Sequence, residues 1–211
     1  VCESILDRGI TLEVAMMELP IVQTVPAPVE VETNWARNVH DFLTVATDEQ
    51  LKLFDILNKA TTAPRAENDP GDGPCVFNVM APAGCGKSRV LNALHAATKS
   101  RGQVLLMVGS TGKAAIELCN SATTAHKRFG IPVPTHFNTT SNINVGSPTA
   151  EMLRSAVGFC WDEALLAHNN WMQVVNRLFC DLHMFRDGDS TYTTPFANRV
   201  AVFANDGSQC L

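Results

Sequence analysis

No stretch of this chain constrains its fold more than Ala81-Pro82-Ala83-Gly84-Cys85-Gly86-Lys87-Ser88. It follows the apolar run Val76-Phe77-Asn78-Val79-Met80 and leads into a helical pattern, Arg89-Val90-Leu91-Asn92-Ala93-Leu94. A strand, a small-residue loop closing on Gly-Lys-Ser, and then a helix is the arrangement of a phosphate-binding P-loop. Gly84 and Gly86 let backbone N–H groups turn inward around an anion, and the helix aims its positive end at the same place. In that arrangement Lys87 reaches the β- and γ-phosphates and the Ser88 hydroxyl binds Mg²⁺, with Ala83, Gly84, Cys85 and Gly86 lining the cradle. Ala81 stands where the strict pattern has Gly, so φ must be negative there.

The strand pattern around the loop sets the fold class. Near-continuous apolar runs recur at 103–108, 156–161 and 199–204, with helical patterns between them. Strands buried on both faces and separated by helices imply an α/β fold, a parallel sheet covered by helices on each side. Ligands of such sheets bind at the carboxyl ends of the strands. Thr47-Asp48-Glu49-Gln50 opens a helix, with Thr47 as N-cap and Gln50 as its capping-box partner. Residues 61–74 read as a loop. Residues 1–46, with a Pro-rich middle, read as a flanking N-terminal segment partly without regular structure, and 47–211 as one domain. Val1 at the start and Leu211 just after a strand-like run are what a fragment of a longer chain would show.

Each further candidate lies at a strand end. Trp161-Asp162-Glu163 closes the third apolar run. Asp162 there can hold Mg²⁺ bound to ATP phosphates, and Glu163 can activate the attacking water; the same acidic pair would also favour a helix start by itself. Gln50 suits either capping alone or a bidentate hydrogen bond to an adenine edge. Ser110-Thr111-Gly112-Lys113 follows a strand and offers hydroxyls, N–H groups and a cation to a phosphate backbone. In Thr124-Ala125-His126-Lys127-Arg128-Phe129, His126 or Phe129 could stack on a base while Lys127 and Arg128 meet phosphates. A solvated loop with a buried Phe is the plainer meaning of either segment. Gln209, in Asp206-Gly207-Ser208-Gln209, could sense the γ-phosphate or its water, or belong to a polar turn.

Net charge is −5, so a nucleic-acid partner needs a local basic surface. Seven scattered cysteines without a C-x-x-C pair read as reduced core residues of an intracellular protein. No membrane span is evident, because prolines and glutamates break the apolar segment near 12–31. His95, His168 and His183 lack metal spacing, and Asn138-Thr139-Thr140 is an incidental glycosylation pattern.

In motif order and wording, residues 47–211 resemble the superfamily-one DNA helicases of the Pif type (petite-integration-frequency family), Helitron-like helicases included. Thr47–Gln50 resembles the family's adenine-reading segment, Ala81–Ser88 its Walker A loop, and Gly109–Ala115 its first DNA-contact motif. Thr124-Ala125-His126-Lys127-Arg128-Phe129-Gly130-Ile131-Pro132 is similar to a Thr-Ala-His-x-Arg-Phe-x-Ile-Pro segment that few other NTPases carry. Cys160-Trp161-Asp162-Glu163-Ala164 resembles the Walker B strand, and Asn205-Asp206-Gly207-Ser208-Gln209 a Gly-Asp-x-Arg-Gln motif. The chain departs from the family at Ala81, Ala83, Asn205 and Ser208. The resemblance implies a RecA-like motor domain of an ATP-driven 5′→3′ helicase. Its partners would be ATP, Mg²⁺ and single-stranded DNA, and its setting nuclear repair, recombination or telomere maintenance. A second motor domain that completes the site would follow Leu211. Two alternatives stand beside this: a catalytically degenerate helicase remnant, and a P-loop NTPase acting on a small molecule.

Overall fold

Strands β1 (Val76–Met80), β2 (Val104–Gly109), β3 (Thr123–Thr124), β4 (Ala156–Asp162) and β5 (Val200–Asn205) form a single sheet in the computed structural model, which describes residues 34–62, 75–187 and 194–206. All pairings are parallel, in the order β1-β5-β4-β2-β3. Parallel neighbours need crossovers, and helices supply them. The chain runs through α1 (Trp35–Val45), α2 (Asp48–Thr62), α3 (Lys87–Ser100), α4 (Gly112–Leu118), α5 (Ala125–Phe129), α6 (Pro148–Ser155) and α7 (Asn169–Asp187).

Side chains alternate across the sheet, and the core divides accordingly. Leu105, Met107, Cys160, Val202 and Ala204 face Leu57, Leu91, Leu94 and Leu118 of α2, α3 and α4. Leu106, Val108, Phe159 and Trp161 face Phe129, Leu153, Val175, Phe179 and Leu182 of α5, α6 and α7. Gly158 is fixed by this packing, since a Cβ there would overlap the Val200 carbonyl of the neighbouring strand.

Three elements depart from the sequence expectation. The segment expected as an upstream flank contains α1, capped by Asn34, whose side chain accepts from the Arg37 N–H. Phe42 of α1 packs on Phe54, Val90, Ala93 and Ala97, so this helix belongs to the α2–α3 layer. Thr61 and Thr62, expected in a loop, finish α2, where both hydroxyls bond the Asn58 carbonyl. α6 is too short, at eight residues, to show a clear helical period, although Ser147 capping the Ala150 N–H, Pro148 at the first turn and Glu151 mark its start.

The five described cysteines are free thiols, but only Cys160 is fully buried, and Cys85 is exposed in the P-loop. The apolar-run rule holds for Cys160 and not for a glycine-flanked loop. No described helix is long and apolar enough to cross a membrane. Among the described residues no three His, Cys, Asp or Glu side chains gather as a metal cluster.

Candidate functional site

Sheet register brings the strand ends into one row. Met80 lies opposite Asn205, Ala204 opposite Asp162, and Asp162 opposite Gly109, which in turn lies opposite Thr124. Residues from 81, 110, 125, 163 and 206 onward therefore leave the sheet along the same edge. That edge is where a doubly covered parallel sheet presents its ligand crevice.

The first loop turns on two glycines. Gly84 has φ 75° and Gly86 φ 88°, and Gly86 caps α3. The positive φ is what requires glycine at 86; a Cβ there would also push the Gln50 amide off its place. Ala81 and Ala83 are not among the positive-φ residues, so these departures from the glycine pattern carry no backbone strain. Lys87 Nζ donates to the carbonyls of Ala81 (2.5 Å) and Pro82 (2.9 Å), which holds the ammonium across the mouth of the loop.

Gln50 does two things at once. Its backbone N–H and side-chain oxygen complete the capping box with Thr47. Its Nε2 donates to the Cys85 carbonyl at 2.9 Å, tying α2 to the P-loop. Capping is therefore realised through the amide oxygen, and the amide nitrogen is bonded to the loop.

Asp162 is half-buried at the end of β4. Burial raises its carboxyl above the ordinary aspartate range, while the Glu163 N–H (3.0 Å), Lys87 and the Ser88 hydroxyl draw it back down. A carboxylate beside a serine hydroxyl is a pair of hard oxygen donors that suits Mg²⁺, and the lysine beside them suits phosphate. Glu163 follows in the left-handed conformation, φ 54°, uncommon for a side-chain-bearing residue. Ser110 locks that turn: its N–H donates to the Asp162 carbonyl and its hydroxyl to the Glu163 carbonyl (2.7 Å), while it accepts from Trp161 Nε1 (2.9 Å). Thr111 Oγ1 donates to Glu163 Oε2 at 3.2 Å and accepts from the Ala114 N–H, capping α4.

The segments expected to meet nucleic acid divide sharply. Thr111, Gly112 and Lys113 are exposed, and Lys113 makes only a surface pair with Glu117. Ser110 is spent on the Glu163 turn. Phe129 is fully buried against Phe159, Trp161 and Phe179, which corrects its expected role as a stacking platform. His126 is half-buried and stands edge-on to Trp171 at 4.2 Å, with burial lowering its pKa. Arg128 donates to the Ser121 carbonyl and to Met152 sulfur, so it braces the fold rather than reaching outward. Thr124 caps α5, and Gly130 (φ 58°) ends it, with the Ile131 N–H returned to the His126 carbonyl. Of this segment Lys127 alone is an exposed cation. Gln209 and Ser208 lie outside the described residues.

Asn205 was recognised in the sequence only as a substitution for glycine. It is buried, its side chain accepts from the Leu165 N–H (2.8 Å) and donates to Asn78 Oδ1 (2.7 Å), and its carbonyl accepts from the Ala81 N–H. One residue thus joins the start of the P-loop to the turn after Glu163. The available signal was an Asn at the middle of an apolar strand, Asn78, matched by another at the end of a second strand.

The model of a family described as PIF1-like helicase matches residues 46–211. Solved structures with this fold include Pif1 from Bacteroides bound to single-stranded DNA (TM-score 0.58, 20% identity, covering 77% of this chain and 32% of that one). They also include Bacteroides Pif1 with ADP-AlF3 and single-stranded DNA (0.57, 20%, again 77% and 32%). Pif1 from Candida albicans is similar too (0.56, 15%, 77% and 32%). The chain spans about a third of the length of these proteins. No match was found among curated proteins.

Proposed function

The chain belongs to the PIF1-like helicase family, and on that premise we propose that it is the first ATP-binding half of a DNA motor. The observation that carries this is the junction of Lys87, Ser88 and Asp162 at the carboxyl edge of the sheet. Residues Ala83–Ser88 cradle the triphosphate, and Lys87 exchanges the Ala81 and Pro82 carbonyls for phosphate oxygens. Ser88 and Asp162 would hold Mg²⁺, which when bound neutralises charge on the β- and γ-phosphates. Glu163 accepts a proton from the attacking water, the role of a general base. Gln50, held beside the P-loop, would read an adenine edge by exchanging its bonds to the Thr47 N–H and the Cys85 carbonyl for it.

Thr111, Gly112 and Lys113 form the described part of the single-stranded DNA track, with Lys127 a second cation. Two phosphate contacts predict weak binding whose affinity falls with salt at a slope of about −1.4 in log units. An arginine supplied across the cleft accelerates related NTPases by about 10³–10⁵. The 211-residue chain by itself is therefore expected to bind Mg·ATP, hydrolyse it slowly and separate no strands. In the whole protein, 5′→3′ translocation in nuclear repair, recombination or telomere maintenance is the activity this half-site would serve.

The unstrained backbone at Ala81 and Ala83 favours a working loop over a degenerate one. The test is fluorescence anisotropy of a labelled oligo(dT) across a salt series. Salt-weakened binding supports the reading; salt-indifferent or absent binding, or strand separation by this chain alone, overturns it.

A further inference from the structure

Thr111 occupies an unusual position between the two halves of the proposed function. Its hydroxyl carries a single proton. That proton is given to Glu163 Oε2, at 3.2 Å, while the hydroxyl oxygen accepts from the Ala114 N–H. The residue is exposed and caps α4, whose first residues Gly112 and Lys113 are exposed beside it at the carboxyl edge. A phosphate of single-stranded DNA taken up by this hydroxyl must take the same proton that now restrains the carboxylate.

The surroundings make the restraint specific to the side chain. Ser110 fixes the backbone of Glu163 from the sheet side through the Glu163 and Asp162 carbonyls, and buried Trp161 fixes Ser110 in turn. Glu163 itself is held at φ 54°, a strained conformation for a glutamate. With the backbone pinned, the Thr111 bond decides where the carboxylate points. A general base must lie within hydrogen-bond reach of its water, and the Glu163 oxygen bonded to Thr111 has its position set by that bond.

We propose that Thr111 is a positioning residue that restrains Glu163 until single-stranded DNA claims its hydroxyl, so that DNA binding releases the base for ATP hydrolysis. This rests on the reading of Glu163 as the general base and of the Thr111 loop as DNA track. It assigns the coupling between them to one proton.

The experiment compares T111V, T111D and T111S in the 211-residue chain. Mg·ATP binding is measured first, then phosphate release with the protein in excess over ATP, with and without saturating oligo(dT). T111V removes donor and cap. T111D keeps a capping oxygen but cannot donate and repels the carboxylate. T111S keeps both. The parent is expected to be stimulated by oligo(dT) about threefold or more. T111V and T111D are expected to rise without DNA to near the stimulated rate, so that their stimulation falls close to one, while T111S rescues the parent's ratio. A parent that binds ATP but is not stimulated overturns the inference, as do variants that keep the parent's ratio. A fall in rate for both T111V and T111D contradicts it as well, because the bond then aligns the base. If only T111V changes, capping explains the effect and the inference fails. A parent that does not bind Mg·ATP defeats the functional reading itself.

Discussion

The loop Ala81–Ser88 and the segment Thr124–Ile131 both leave the carboxyl edge of the sheet, and both carry family-specific wording, yet they use their side chains in opposite ways. In the first, Gly84 and Cys85 stand in solvent and Lys87 bridges loop carbonyls that a phosphate can replace. In the second, Thr124 caps, Gly130 terminates, Phe129 fills the core and Arg128 is bonded internally. A segment can identify a family because it builds the fold, without touching a ligand. The difference lies in where the polar atoms go: outward and exchangeable in one region, inward and satisfied in the other.

Three substitutions and a final titration test that contrast. Phe129→Ala should have the largest effect, a loss of about 3–5 kcal/mol by urea denaturation, because the ring is fully enclosed by other aromatics. A loss under 1 kcal/mol together with weakened DNA binding would return Phe129 to the nucleic-acid track. Arg154→Ala comes next. Its guanidinium is buried and bonds the Leu182 and Val145 carbonyls and Glu151, joining α6 and α7 to the loop after α5. Losing these three bonds of a buried guanidinium should cost about 2–4 kcal/mol, with Mg·ATP binding to the residual folded protein unchanged.

His95 gives a smaller, pH-dependent effect on the P-loop side. It lies buried on α3, edge-on to Trp35, and burial together with Lys99 lowers its pKa from 6.5 to about 4. Above pH 6.5 the imidazole is neutral in both states and contributes no pH dependence. Below 6.5 the unfolded chain takes up the proton first, so stability falls as pH drops toward 4. The urea midpoint of the parent should fall between pH 7 and pH 5 by more than that of His95→Phe. Equal falls would show that His95 is not held neutral.

The sheet, its parallel sense and the P-loop were legible in the sequence because buried parallel strands read as apolar runs and the loop's glycines fix its turn. The placement of Asp162 at the end of β4, and of Lys87 and Ser88 at the start of α3 after the loop, was legible for the same reason. What was not legible depends on partners distant in sequence. Phe129 could be either a stacking platform or a buried ring until Phe159 and Phe179 enclosed it. The Ser110 hydroxyl looked free until Trp161 and Glu163 claimed it, 51 and 53 positions away. Asn205 bonds Asn78 across 127 positions. α1 was hidden because its apolar face is completed by Phe54 of α2 and by Val90, Ala93 and Ala97 of α3.

The central claim, that exchangeable polar groups at 81–88 and not the Thr124–Ile131 segment carry the chemistry, is tested most directly by titrating Mg·ATP into the parent and Lys87→Ala, with thermal unfolding of both. The account predicts that the parent binds, that Lys87→Ala weakens binding at least about tenfold, roughly 1.4 kcal/mol, and that both unfold at nearly the same temperature. Undiminished ATP binding by a folded Lys87→Ala variant would contradict it.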